Sequence, residues 1–162
     1  MAVTQDILKS YRKPGQVMAR HLAAGQREDR ALIFLMASCL MFFLAELPVL
    51  SRNAHLQGTD MGPELGGSLL AWIFIAPLIL YALAAVLRIV MRVLGCKLAG
   101  WFEVRLALFW SLLATSPLVL LNGLTKGFIG QGVEVNIVGF VWLVSFLWIL
   151  AGGLRQVCKG IS

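Results

Sequence analysis

Four apolar runs of membrane-spanning length constrain this chain more than any other feature. They cover residues 31–50, 67–87, 101–121 and 135–154. A helix of about 20 apolar residues crosses the roughly 30 Å hydrocarbon core of a bilayer. The sequence therefore predicts an all-α integral membrane protein, a polytopic bundle of four transmembrane helices.

Composition agrees with this architecture, because 59% of the residues are hydrophobic and only 14% are charged, against about 25% charged in soluble domains. The short connections leave no room for a second folded domain. We expect a basic N-terminal segment at residues 1–30, a four-span membrane domain at 31–154 and a tail at 155–162.

Lysine and arginine are distributed unevenly between the two sides of the predicted membrane domain. Twelve of the 14 lie before the first span, between spans two and three, or in the tail, and only Arg52 and Lys126 lie in the other two loops. The positive-inside rule then places both termini in the cytoplasm. The basic residues cluster at membrane edges, so we expect contact with lipid headgroups and no nucleic-acid partner.

The N-terminal segment predicts short amphipathic helices at the membrane surface. Thr4 caps a first helix with Ile7 and Leu8 on its apolar side, and Pro14-Gly15 ends it. A second short helix follows, up to Gly25. Basic amphipathic helices of this kind lie at the headgroup boundary; a docking helix for a soluble partner is the alternative.

Three cysteines, Cys39, Cys96 and Cys158, show no metal-binding or redox spacing. Cys39 falls in the first span, and the predicted topology places the other two on the cytoplasmic side, where thiols stay reduced. We expect three structural thiols.

Glu46 is the one carboxylate inside a predicted span, and an ionisable group at this depth is a candidate functional residue. It lies 15 residues after Ala31, about 22 Å up the helix and in the outer third of the bilayer. A proton- or substrate-handling role competes with a structural role as a hydrogen-bonded or snorkelling carboxyl. The possible partners at its level are Arg52, His55, Ser68, Asn122, Thr125 and Lys126.

Each of the first three spans contains a proline: Pro48, Pro77 and Pro117. Proline removes a backbone hydrogen bond and kinks a helix. Pro77 and Pro117 stand in similar five-residue surroundings on spans of opposite direction, a pattern that paired broken helices of transporters also show. We expect simple kinks, with an inverted pair as the alternative.

Small residues at helical spacing predict close contacts between helices, within the bundle or between protomers. The two sets are Gly67 with Ala71, and Ala107 with Ser111 and Thr115.

The segment between the second and third spans is predicted to be interfacial. Arg88 and Arg92 share one helical face, Gly95 permits a reversal, and Arg105 follows early in the third span. We expect Glu103 to form a local ion pair with these arginines.

No catalytic or metal-binding pattern accompanies these features. His21 and His55 fall on opposite sides of the predicted bilayer, and the outer loop around His55 fits no ligand spacing. We therefore expect a protein that is not an enzyme, with no cofactor and no metal.

The order of these features along the chain suggests a family resemblance. A basic N-terminal stretch with Pro14 precedes EDRAL at 28–32, and LGCKLAGWFEVRLA at 94–107 leads to SPLVL at 116–120. The chain resembles the bacterial branch of the Yip1-domain membrane proteins. It departs from the eukaryotic members, which have five spans and an acidic Asp-Leu-Tyr-Gly-Pro signature, so a GTPase partner is not carried over.

The resemblance implies a non-enzymatic protein of the bacterial inner membrane, with an interaction or membrane-organising role and a membrane-protein partner or self-association. Two alternatives stay open. One is a small transporter or channel that uses Glu46 and the kinked helices, and the other is an accessory subunit of a larger membrane complex.

Overall fold

The computed structural model describes residues 3–58, 60–96 and 99–159. The expected all-α architecture is confirmed, since four of its helices are long and apolar enough to cross a membrane. The helices are α1 (Val3–Arg12), α2 (Pro14–Ala23), α3 (Glu28–Gln57), α4 (Met61–Leu70), a π-helical segment (Ala71–Ile75), α5 (Ala76–Val93), α6 (Trp101–Phe128) and α7 (Val133–Lys159).

The second long helix is composite, because α4, the π-helical segment and α5 run continuously from Met61 to Val93. It begins at Asp60, whose side chain accepts a hydrogen bond from the Gly62 amide at 3.1 Å. It ends at Val93, and Gly95, two residues later, has a φ of 88°. This left-handed conformation strains other residues much more than glycine, so Gly95 makes the reversal toward α6.

Helix α6 is the centre of the bundle. In its apolar window 67% of the residues are buried, against 6% for the composite α4–α5 helix. It packs most extensively against α3 and then α7, while α4–α5 lies at the edge with few contacts. The predicted packing residues Ala107, Ser111 and Thr115 are all buried on α6.

Two glycines bring the outer half of α6 unusually close to α3. A Cβ atom added to Gly123 would lie 2.9 Å from the Cα atom of Ala45, and one added to Gly127 would lie 2.9 Å from the carbonyl carbon of Pro48. Glycines four residues apart present a flat face that permits such backbone contact. Any side chain at these positions would force the two helices apart.

The two predicted N-terminal helices form, and they pack against the long helices of the bundle. The Tyr11 hydroxyl donates to the carbonyl of Ala114 at 3.0 Å, and the Trp110 indole donates to the Ser10 hydroxyl at 3.0 Å. Asp6 of α1 pairs with Arg20 of α2 at 2.7 Å. Their inner faces therefore follow the surfaces of α6 and α7.

The expectation of three free thiols is wrong for two of them. Cys96, after α5, and Cys158, near the end of α7, form a disulfide, and Cys39 is free and buried. Spacing along the sequence could not reveal this pair, because 62 positions separate the two residues and only the turn at Gly95 brings them together. In the chain-entropy account, a crosslink of this span stabilises the folded state by about 4 kcal/mol.

His21 on α2 is enclosed by aromatic rings. Its ring centroid lies 5.5 Å from that of Phe34 and 4.3 Å from that of Trp110. Burial lowers the pKa of His21 from 6.5 to about 4. The charged groups that act on it are Asp6, which raises the pKa, and Arg30 and Arg20, which lower it.

We expect acid to destabilise the protein partly through His21. The folded state keeps this imidazole neutral, so the unfolded chain binds the proton first and stability falls as the pH drops from 6.5 to about 4. In thermal unfolding, His21→Phe should lose less stability than the wild type over this pH range. His55→Gln, at an exposed position, should show the same loss as the wild type. An identical pH dependence in His21→Phe and wild type would contradict this.

Substitution of Gly123 by alanine should destabilise the protein more than the small size of the added methyl group suggests. Gly123→Ala places a methyl group against the α3 backbone, and overpacking of this kind typically costs about 1–3 kcal/mol. The matched control is Gly67→Ala, where the added Cβ meets nothing within 4 Å and where alanine favours the helix. Thermal unfolding in detergent should rank Gly123→Ala below the wild type and Gly67→Ala at or above it.

Candidate functional site: an intramembrane polar cavity

Glu46 is held by two hydrogen bonds from the composite helix. Its Oε2 atom accepts from the Ser68 hydroxyl at 2.6 Å and from the Trp72 indole nitrogen at 2.7 Å. Hydrogen bonds to a carboxylate are about twice as strong as those between neutral groups. They join the loosely packed α4–α5 helix to α3.

The π-helical segment contributes one of these two donors. Trp72 is part of this widened turn, which immediately precedes α5 and Pro77. Proline has no amide proton to donate to the preceding turn, and π-helical turns relieve such interruptions and recur at functional sites. Ser68 lies four residues before Trp72, so both side chains project toward Glu46.

A cavity of about 280 Å³ opens beside this carboxylate, between α3, the π-helical segment and α6. Its polar lining comes from Glu46, Asn122 and Lys126, with Lys126 at the exposed rim. The apolar lining consists of Phe42, Ala45, Val49, Trp72, Val119 and Gly123. Such a mixture of an apolar wall and a few convergent polar groups is typical of small-molecule sites.

Asn122 has an unpaired acceptor. Its Oδ1 atom is buried and has no hydrogen-bond partner among the described residues. The amide nitrogen faces α7, where a Cβ added to Gly139 would lie 3.2 Å from it. A buried acceptor without a donor costs about 1–3 kcal/mol. A small ligand with a hydrogen-bond donor would relieve this cost.

The structure brings together three of the six partners considered for Glu46. Ser68 bonds to it directly, and Asn122 and Lys126 line the same cavity. The other three are engaged elsewhere or exposed: Arg52 donates to the carbonyls of Gly127 and Phe128, Thr125 donates to the carbonyl of Leu121, and His55 is exposed. Sequence reasoning missed Trp72, although its spacing from Ser68 was a usable signal.

The three prolines occupy different environments. Pro48 packs against Gly127 of α6, Pro77 follows the π-helical segment, and Pro117 is exposed on α6. Of the small residues, Ala71 belongs to the π-helical segment, and Gly67 lies at an exposed position facing open space.

The basic residues between α5 and α6 lie at the opposite end of the bundle from Glu46. The guanidinium of Arg88 stacks 3.8 Å from the centroid of the Trp101 ring, a cation–π contact, and Arg92 is exposed. Arg105 pairs with Glu28 at 2.5 Å. The expected ion pair of Glu103 is therefore wrong, since Glu103 instead accepts from the Gln26 amide.

The site offers the Glu46 carboxyl group and the Asn122 amide oxygen to a small polar group. Within the described ranges, no group of three or more His, Cys, Asp or Glu side chains could hold a metal ion.

Comparison with models of known protein families, with curated proteins and with solved structures finds no match.

Glu46→Leu should loosen the composite helix, because it leaves the Ser68 and Trp72 donors without their acceptor. We expect a loss of about 1–3 kcal/mol in thermal unfolding and a shift in tryptophan emission. Glu46→Gln retains one acceptor oxygen, so its loss should be smaller. Glu64→Gln, on an exposed side chain of α4, is the control; equal stability of Glu46→Leu and Glu64→Gln would refute the role of Glu46.

Proposed function

We propose that this chain is a non-enzymatic, Yip1-like membrane protein that acts through association with another membrane protein or with a second copy of itself. The observation that carries the proposal is the weak burial of the composite helix, since only 6% of the residues in its apolar window are buried within the chain. A helix that packs this weakly within its own chain has an exposed face that a second protein chain can contact.

The shape of this face favours a protein over lipid alone. Phe74 and Leu78 project from it, with 63% and 72% of their surfaces exposed. Gly67 leaves an open notch beside them, since a Cβ there would meet nothing within 4 Å. Small residues let the backbone of another helix approach closely, whereas flexible acyl chains pack less closely against such a surface.

A photo-crosslinking residue at Leu70, which is 59% exposed, tests the proposal in native membranes. We expect protein adducts at Leu70, reduced several-fold by Gly67→Leu, and few at Phe140 of α7, the control position. Mass spectrometry then separates a second copy from a different partner. A stoichiometric set of larger subunits would identify an accessory subunit of a membrane complex, and lipid adducts alone would refute the proposal.

The second candidate function is a small transporter or channel, which the Glu46 cavity and the unpaired Asn122 oxygen favour. In proteoliposomes, Glu46→Gln should then abolish a flux of protons or small cations, while Glu64→Gln leaves it unchanged. Wild-type protein without flux would exclude this candidate for those species.

We further propose, on the family resemblance, a bacterial inner membrane and, on the distribution of twelve basic residues against two, that both termini lie in the cytoplasm. The Cys96–Cys158 disulfide lies at the end with the basic segments, and cytoplasmic disulfides are rare. A reporter fused after Ser162 should register as cytoplasmic, and a maleimide gel shift in intact cells measures whether the Cys96–Cys158 disulfide is retained on that side. A periplasmic reporter signal, together with cysteines that maleimide does not modify, would reverse the proposed orientation.

A further inference from the structure

A second cleft, of about 270 Å³, lies between the beginning of α2 and the last turns of α7, at the opposite end of the bundle from the Glu46 cavity. Its walls are Pro14, Gly15, Trp148, Ala151, Gly152, Arg155, Gln156 and Lys159.

Two glycines at the base of this cleft let α2 approach α7 closely. A Cβ added to Gly152 would lie 2.9 Å from the Cβ of Pro14, and one added to Gly15 would lie 3.6 Å from the Gly152 carbonyl oxygen. The first turn of α2 therefore rests directly on the α7 backbone. The longer α7 side chains on either side of Gly152 then form the walls.

The chemistry of the cleft changes along α7. Trp148 lies within the predicted fourth span and exposes 57% of its surface. Arg155 is the first residue after that span, and Lys159 follows one turn later. From Trp148 to Lys159 the rise is about 16 Å. The cleft thus passes from hydrocarbon depth to headgroup depth, with an indole at one end and two cations at the other.

The polar end is positively charged. Arg155 and Lys159 are both exposed and stand four residues apart, a spacing at which like charges repel. No carboxylate is among the residues that line the cleft. An anion between these cations would be bound by charge complementarity.

We propose that the cleft binds an anionic glycerophospholipid, with its phosphate between Arg155 and Lys159 and an acyl chain along Trp148. Basic pockets between helices at the membrane edge recognise lipid headgroups, and tryptophan is favoured at that depth. Val144 and Leu147, which precede Trp148 on α7, are exposed apolar side chains, and this favours a lipid over a soluble phosphate. This inference does not rest on the proposed function.

Quenching of Trp148 fluorescence by brominated lipid tests the proposal. The full chain is reconstituted in phosphatidylcholine–phosphatidylglycerol vesicles in which either one lipid or the other carries brominated acyl chains, at equal mole fraction. The difference between wild type and Trp148→Phe isolates Trp148 from the other four tryptophans. We expect brominated phosphatidylglycerol to quench Trp148 several-fold more than brominated phosphatidylcholine.

The double variant Arg155→Gln/Lys159→Gln should remove this preference, whereas Arg92→Gln, an exposed arginine of α5, should keep it. Both variants are first checked for wild-type thermal unfolding, so that misfolding is not mistaken for lost binding. Equal quenching by the two lipids in the wild type, or an undiminished preference in the double variant, would overturn the proposal. Abolition of the preference by added inorganic phosphate would also overturn it, in favour of a soluble anion.

Discussion

The backbone contact between α6 and α3 at Gly123 and Gly127 is the constraint on which the outer half of the bundle depends. Because these residues have no side chains, α3 lies close enough to α6 for Ala45 to face Gly123 directly. The next residue, Glu46, then stands at the edge of this interface, beside Asn122. A wider separation of the two helices would open the cavity between them to lipid.

The remaining helices attach to this pair in different ways. The composite helix has little apolar burial within the chain, and it attaches through two hydrogen bonds to Glu46 and through ring contacts such as that of Tyr81 with Phe109. The N-terminal helices attach through apolar packing and through polar bonds to Trp110 and Ala114. The disulfide between Cys96 and Cys158 ties the loop after α5 to α7. The bundle is therefore tightly packed around α6 and loosely packed along α4–α5.

This difference in packing means that the walls of the two candidate sites differ in rigidity. The Glu46 cavity lies between a rigid wall, α3 and α6, and a weakly packed one, the π-helical segment. Small shifts of that segment would alter the environment of Glu46 with little change elsewhere. The cleft between α2 and α7 is fixed instead by the direct contact of Pro14 with Gly152, and its charge comes from residues just past the end of a span.

The sequence by itself determined the number and order of the long helices, because apolar runs of bilayer length are a local property of the chain. The helices, of 27 to 33 residues, extend beyond the predicted spans. It also identified Glu46 and, through depth along the helices, six candidate neighbours, of which the structure brings Ser68, Asn122 and Lys126 to the same site. Only the tertiary structure decided that Trp72 is the second donor, that Cys96 pairs with Cys158, and which small residues meet another helix. These outcomes depend on the rotation and separation of helices distant in sequence, which hydrophobic periodicity alone does not specify.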